Sequence, residues 1–172
     1  MSNGKPMEVM VEDARIIYRN FKGEAGQFNA AGDRNFCLVL PPDTAEEMTR
    51  DGWNVKSIEP RDEGDEPTFY LPVAVSYKIR PPRIVMIVDG KQTPLTEDTV
   101  DQLDYADILS VDVLVRASHW TQPGGKSGIK AYLRSLFANI QLDPLEAKYE
   151  KLKETNKQTE RNEDYREPNY DD

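Results

Sequence analysis

Two neighbouring segments, 111–120 and 129–142, alternate between apolar and polar residues, and this alternation constrains the fold more than any other feature. Successive side chains of a β-strand point to opposite faces, so each segment predicts a strand with one apolar and one polar face. The apolar positions are Val113, Val115, Ala117, Ile129, Ala131 and Leu133. The polar positions are Arg116, Ser118, Trp120, Lys130, Tyr132 and Arg134. The loop 121–128 between them predicts that the two strands pair as a hairpin.

Charge is distributed unevenly along the chain. The net charge is −9, yet the stretch 113–142 has four basic residues and no acid. The stretch 68–88 also has no acid, and its bases are Lys78, Arg80 and Arg83. The acids concentrate in the connecting segments and in the last thirty residues. Because the local field decides where a polyanion can bind, the acidic net charge does not exclude a nucleic-acid partner.

The remaining chain adds further strands and a few short helices. Strands are predicted over 8–18, 34–40, 68–79 and 84–88, the last closed by the turn-forming pair Asp89-Gly90. Helices are predicted over 43–50, with Asp43 as N-cap and Gly52 at the end, and over 97–106. About six strands without long βαβ spacing indicate a mainly β protein. We expect a small antiparallel OB-like barrel with two or three short helices.

Apolar periodicity is lost towards the carboxyl end, and this sets the predicted domain boundaries. The barrel domain covers 8–143, a polar helix follows over 144–157, and residues 158–172 form an acidic tail that we expect to be disordered. No apolar run reaches the roughly 20 residues of a membrane span. The first residues lack the basic-then-apolar order of a secretion signal, so we expect a cytoplasmic protein without a membrane partner.

The polar face of the hairpin is the predicted nucleic-acid site. Rings among cations are typical of grooves that hold single strands, since charges follow phosphates and rings stack on bases at about 1–3 kcal/mol each. The alternative is that both rings are ordinary core residues and the cations ordinary surface charges. The predicted DNA-binding residues are Arg116, Trp120, Lys126, Lys130, Tyr132, Arg134, Lys78, Arg80, Arg83, Arg19, Lys22, Phe28 and Arg34.

Residues that could support catalysis or metal binding are few. The segment 124–128 resembles part of a phosphate-binding loop, but it joins two strands and lacks that motif's first glycine. Four aspartates recur every three residues, at Asp98, Asp101, Asp104 and Asp107. They could hold Mg²⁺ in a nuclease, but we favour a solvated helix face. His119 and Cys37 are single residues of their types and do not make a zinc site, and Cys37 is predicted to be a buried core thiol. We predict a non-catalytic protein with neither cofactor nor metal.

Short motifs between about Asp13 and Tyr149 form a set that is found in a known family. They are Phe21-Lys22-Gly23, Phe28-Asn29, Gly32, Arg34, Phe36, Gly52-Trp53-Asn54-Val55, Pro81-Pro82-Arg83, Leu103-Asp104-Tyr105-Ala106 and the run from Gly125 to Leu133. This set resembles a family of small tailed-bacteriophage proteins, the OB-fold single-stranded DNA-binding proteins. The resemblance implies a role in phage replication or recombination, in which the protein coats exposed strands without cleaving them.

The acidic tail suggests a second role. Residues 160–172 contain six acids and two bases. They resemble the acidic tips of bacterial and phage single-strand binders, which recruit replication proteins and compete with DNA. The bacterial pattern ends in Pro-Phe, whereas this chain ends in Tyr170-Asp171-Asp172. The predicted partner-binding residues are Glu163, Asp164, Tyr165, Tyr170, Asp171 and Asp172. A solubilising end is the alternative.

An interaction protein is the alternative to a DNA-binding protein. The acidic segments 59–66 and 97–107 could mimic DNA and bind a host enzyme, as an inhibitor encoded by a phage would. We favour single-stranded DNA as the partner, with replication or recombination proteins docking on the tail. The oligomeric state is expected to be monomer or dimer.

Overall fold

The computed structural model describes residues 8–27, 29–78 and 80–142, together with residues 145, 148, 149 and 152. The chain divides into two compact units, one ending at Gln141 and one beginning at Leu142. Within the described residues the first unit holds nine strands, one α-helix and one 3-10 helix. No helix in the described part of the chain is long and apolar enough to cross a bilayer.

The elements follow the chain in an order that is mostly β. The strands are β1 (Glu8–Ala14), β2 (Ile16–Asn20), β3 (Arg34–Leu40), β4 (Lys56–Ile58), β5 (Thr68–Val75), β6 (Arg83–Val88), β7 (Lys91–Leu95), β8 (Ile108–Thr121) and β9 (Ser127–Ile140). The helix α1 covers Pro42–Asp51, and the 3-10 helix covers Val100–Asp104.

The sheet is open and mixed, with the strand order β1-β8-β9-β5-β3-β2 and with β4, β6 and β7 attached beside this path. The mainly β prediction is confirmed, but the prediction of a small antiparallel OB-like barrel is wrong in that the sheet is open and contains parallel pairs. The parallel pairs lie on β9, whose 14 residues have two neighbours on the side away from β8. Its first half pairs with β5 and its second half with β6, and both pairings are parallel.

The predicted first strand, 8–18, is two strands that belong to different ends of the sheet. β1 pairs with β8, whereas β2 pairs with β3. The break coincides with a register shift between Val11 and Ala14, where Asp13 has a φ of 52°. A bulge of this kind bends a strand. The chain therefore leaves one edge of the sheet and enters the other through Arg15 alone.

The helices differ from the prediction in their caps, lengths and type. Gly52 ends α1 with a φ of 102°, as expected, but Pro41 and not Asp43 is the N-cap, and no side chain caps the helix. Proline suits the first helical position because its missing N–H would be unpaired there, and Pro42 occupies it. The segment 97–106 forms only the 3-10 helix. Of the predicted polar helix 144–157, the four described residues are helical and the others lie outside the described residues.

The core lies on one face of the sheet, and the opposite, outer face is left for other contacts. The predicted apolar face of the hairpin is confirmed, because its six positions are all at most 5% exposed. In β3 and β5 the buried residues alternate in the same way, at Phe36, Leu38, Leu40, Leu71, Val73 and Val75. Their alternate neighbours therefore share the outer face with the polar side of the hairpin.

Candidate nucleic-acid interface

A row of side chains crosses the outer face from β8 to β3. Arg116 pairs with Tyr132 across the hairpin. Tyr132 is beside Ala74 of β5, and Ala74 is beside Asn35 of β3. Paired residues of neighbouring strands lie on the same face, so the row presents a cation, an aromatic ring, a small side chain and an amide in order. The small Ala74 leaves space beside the ring.

Two cations flank the ring of Tyr132. The Arg116 guanidinium carbon lies 5.4 Å from the ring centroid, and the Lys130 Nζ lies 5.2 Å from it. Contacts of a cation with a ring face are worth about 0.5–1 kcal/mol at exposed sites. They hold both positive charges close to the ring.

Trp120 lies nearer the tip of the hairpin, one outer-face position beyond the pair Ser118–Lys130, and it is opposite Gly128. A Cβ atom at Gly128 would lie only 2.8 Å from the indole Cζ2. The indole therefore lies against the Gly128 backbone, and only a residue without a side chain permits that position. Trp120 is still 40% exposed, so it is not the core residue that the alternative interpretation required.

These residues line one side of a groove of about 1170 Å³, called here the outer groove. Its other side comes from β3, β5 and the residues after β5. The basic residues of the lining are Arg34, Lys78, Arg80, Arg116 and Lys130, and the acidic ones are Asp33 and Glu97. The groove thus carries an excess of positive charge in a chain whose net charge is −9.

Arg34 is the most constrained cation of the groove. Its Nε donates to the Phe21 carbonyl at 2.9 Å, and its guanidinium lies 3.5 Å from Glu97 and 5.4 Å from the Tyr77 ring centroid. Burial raises the pKa of Tyr77, and the nearby Arg34 opposes that rise. Because Arg34 is already paired with a carboxylate, Lys78, Arg80, Arg116 and Lys130 are the four groove cations without an ion pair among the described residues.

Other predicted DNA-binding residues lie outside the outer groove. Arg134 forms an ion pair with Glu8. Arg83 lies over the Phe137 ring, 5.4 Å from its centroid. Lys126 is exposed in the hairpin loop, where its carbonyl accepts from the Gln122 N–H at 2.6 Å. None of the three lines the groove.

Two of the predicted amino-terminal residues, Arg19 and Lys22, lie outside the outer groove. Arg19 donates to the carbonyls of Leu103 and Ala106 at 2.8 and 2.7 Å, which ties β2 to the 3-10 helix. Lys22 is exposed outside the groove lining. Phe28 and the six predicted tail residues lie outside the described residues.

The aspartate row is not assembled as a metal site. Asp104 accepts from the backbone N–H groups of Phe21 and Lys22 at 2.7 and 3.0 Å, so it fixes a loop. Among the described residues, no three side chains of His, Cys, Asp or Glu come together as a metal would require.

Sequence reasoning missed the floor of the groove. Asn35 and Cys37 lie there with Ala74 and Pro72. Cys37 is half-buried on the outer face, so its prediction as a core thiol is wrong. Burial raises the pKa of this thiol to about 11, and Lys56 opposes the rise. The available signal was the alternation of β3, because Asn35 and Cys37 alternate with the buried Phe36 and Leu38.

The sequence matches a family model over residues 2–172, and the model is described as "Putative phage ssDNA-binding domain". The chain belongs to this family. The resemblance seen in the short motifs is thereby confirmed, and the matched region takes in the acidic tail as well as the sheet. No curated protein matches the sequence.

Solved structures of phage proteins share the fold of this family member. The single-stranded DNA-binding protein from bacteriophage Enc34 in complex with ssDNA is 12% identical, with a TM-score of 0.53 over 80% of this chain and 88% of that chain. Its C-terminal truncation is 13% identical, with a TM-score of 0.52 over 80% and 87%. At such identities the likeness concerns the fold.

Proposed function

We propose that this protein binds single-stranded DNA in the outer groove, with little dependence on base sequence and without a catalytic step. The observation that carries the proposal is the row across the outer face, in which Tyr132 lies between Arg116 and Lys130 and beside the small Ala74. Membership in the phage ssDNA-binding domain family supports it. So does the fold shared with a phage protein that was solved with ssDNA.

The groove offers the two kinds of contact that an unpaired strand can use. The cations Lys78, Arg80, Arg116 and Lys130 would follow the phosphates, and the rings of Trp120 and Tyr132 would stack on bases. Stacking is sequence-tolerant because every base has a π-face. In a duplex the bases are stacked on one another, so the rings would have nothing to bind and only the charges would act.

The acidic segments support this assignment over an inhibitor that mimics DNA. Of the segments 59–66 and 97–107, only Glu97 lines the outer groove, and it is held by Arg34. The acids are therefore separated from the cationic surface and leave it available to a polyanion.

The biological role that we propose is coating of exposed strands during phage replication or recombination, in the cytoplasm of the host. The tail, with Glu163, Asp164, Tyr165, Tyr170, Asp171 and Asp172, would recruit replication or recombination proteins. The support is its composition, six acids against two bases over 160–172.

Fluorescence anisotropy of labelled oligo(dT) over a range of salt concentrations tests the proposal. Four phosphate contacts predict a slope of log K against log[salt] of roughly −3, at about −0.7 per contact for single strands. A labelled duplex of the same length should bind more weakly than the single strand does. A slope near zero, or tighter binding to the duplex, would contradict the proposal.

A further inference from the structure

Besides Trp120 and Tyr132, the outer face carries a pair of tyrosine rings beyond the end of the outer groove. The rings of Tyr18 and Tyr70 meet edge to face, with centroids 5.8 Å apart and planes at 80°. Tyr70 alternates with the buried Leu71, which places it on the outer face. Tyr18 is 62% exposed, so the pair presents aromatic surface to solvent.

The path from the groove to this pair is continuous along β5 and β3. Pro72 and Cys37 are paired in register and line the groove. The next outer-face pair along the same two strands is Tyr70 with Val39. Tyr70 lies four residue steps along β5 from Ala74, a distance of about 13 Å. A DNA strand that stacks on Tyr132 would reach the tyrosine pair by continuing along the sheet.

A basic side chain accompanies the second pair, as it does the first. Lys56 of β4 pairs in register with Tyr70. Its charge also acts on Cys37, where it opposes the rise in thiol pKa that burial causes. Because residues paired in register share a face, Lys56 lies on the outer face beside Tyr70. The acidic stretch 59–66 follows β4 directly. Its carboxylates would repel phosphates, so the surface that favours DNA ends near β4.

The backbone at Tyr18 is in an uncommon conformation that directs its ring. Its φ is 53°, in the left-handed region that tyrosine seldom adopts. The register between β2 and β3 shifts in this stretch, between Ile17 and Asn20. Bulges of this kind redirect a side chain, and backbone strain of this kind is concentrated at functional sites.

We infer that Tyr18, Tyr70 and Lys56 form a second stacking site for the same DNA strand, reached only by oligonucleotides long enough to extend past the outer groove. This inference rests on the proposed function, because the strand is the one held at Tyr132. The ring of Tyr18 stacks on a base, Tyr70 supports that ring from its edge, and Lys56 pairs with the adjoining phosphate.

The test compares short and long oligo(dT), of about 5 and about 16 nucleotides, the range of site sizes for a domain of this size. Tyr18→Ala should weaken binding of the longer oligonucleotide by about 5- to 100-fold, the usual loss for one stacked base. Binding of the shorter one should be weakened less, because it can bind within the groove in positions that do not include the tyrosine pair. Tyr18→Phe keeps the ring and should bind as the wild type does. Lys56→Gln should reduce the salt slope for the longer oligonucleotide by about 0.7.

Tyr105→Ala is the matched control, since Tyr105 is 77% exposed and lies outside the groove lining and outside the tyrosine pair. If Tyr18→Ala binds the longer oligonucleotide as tightly as Tyr105→Ala does, the second site is refuted. The proposed function then still stands wherever Trp120→Ala weakens both lengths. If the wild type binds neither oligonucleotide, the proposed function fails and the second site with it.

Discussion

Gly128 shows how one residue without a side chain can shape a binding surface. The indole of Trp120 lies against its backbone, and a Cβ atom there would come within 2.8 Å of the ring. A glycine in a strand weakens it, since it has no side chain to pack, but an aromatic residue on the paired strand can cover the exposed backbone. The position of the ring therefore depends on both partners of the pair.

The Gly128→Ala variant should displace the indole and weaken binding of oligo(dT) by about 5- to 100-fold, the range for one lost stacked base. The melting temperature should change little, because Trp120 is 40% exposed and its ring can swing outward. Gly26→Ala is the matched control, since nothing lies within 4 Å of a Cβ atom there. Anisotropy measurements that gave both variants the affinity of the wild type would remove Trp120 from the site.

At the scale of elements, the hairpin β8–β9 places similar cations in different surroundings. Arg116 lies over Tyr132 in the groove. Arg134 is 56% exposed and paired with Glu8, the residue of β1 that is in register with Arg116. A cation that already has a carboxylate partner gains less from a phosphate than one without.

Arg116→Gln should therefore reduce the magnitude of the salt slope by about 0.7 and weaken binding at low salt. Arg134→Gln should have a smaller effect on both quantities, because Arg134 is already paired with Glu8 and lies outside the groove lining. Titrations of oligo(dT) at several salt concentrations measure the two slopes. Equal slopes for the two variants would mean that the ion pair between Glu8 and Arg134 does not decide which cation contacts DNA.

The hairpin could be predicted from the sequence because the residue pattern that specifies it lies within two adjacent segments of the chain. Alternation alone assigns Val115 and Ala131 to the core and Arg116 and Tyr132 to the opposite face, as the structure shows. The division of 8–18 into β1 and β2 could not be predicted, because it depends on a bulge and on pairing with strands about twenty and a hundred residues away. The parallel neighbours of β9 are equally non-local.

The site was predictable only in part for the same reason. Trp120 and Lys130 follow from the alternation of the hairpin, but their grouping with Asn35 and Ala74 requires the order of strands in the sheet. Arg19 and Arg34 are predicted from their charge alone, and a sequence does not reveal that backbone carbonyls bind Arg19 or that Glu97 pairs with Arg34.

On the scale of the whole molecule, the charges of this chain are segregated. The outer groove has five basic and two acidic residues in its lining, whereas residues 160–172 have six acids and two bases. A tethered polyanion acts on a cationic groove at an effective concentration of order mM. We therefore expect the tail to compete with DNA.

Deletion of residues 160–172 should tighten binding of oligo(dT), and most strongly at low salt. The reason is that screening shortens the reach of the tail as the Debye length falls from about 30 Å at 0.01 M to about 10 Å at 0.1 M. The melting temperature should be nearly unchanged, since every buried core residue in the described part of the chain precedes the tail. Equal affinities of the truncated and the full-length protein at low salt would refute competition by the tail.

The central claim is that single-stranded DNA lies along the outer groove, and ultraviolet cross-linking of oligo(dT) followed by mass spectrometry of the peptides tests it most directly. The groove rings Trp120 and Tyr132 should carry the cross-links, and an excess of unlabelled oligo(dT) should abolish them. Cross-links confined to residues outside the groove, such as the exposed Tyr105, with Trp120 and Tyr132 unmodified, would contradict the account.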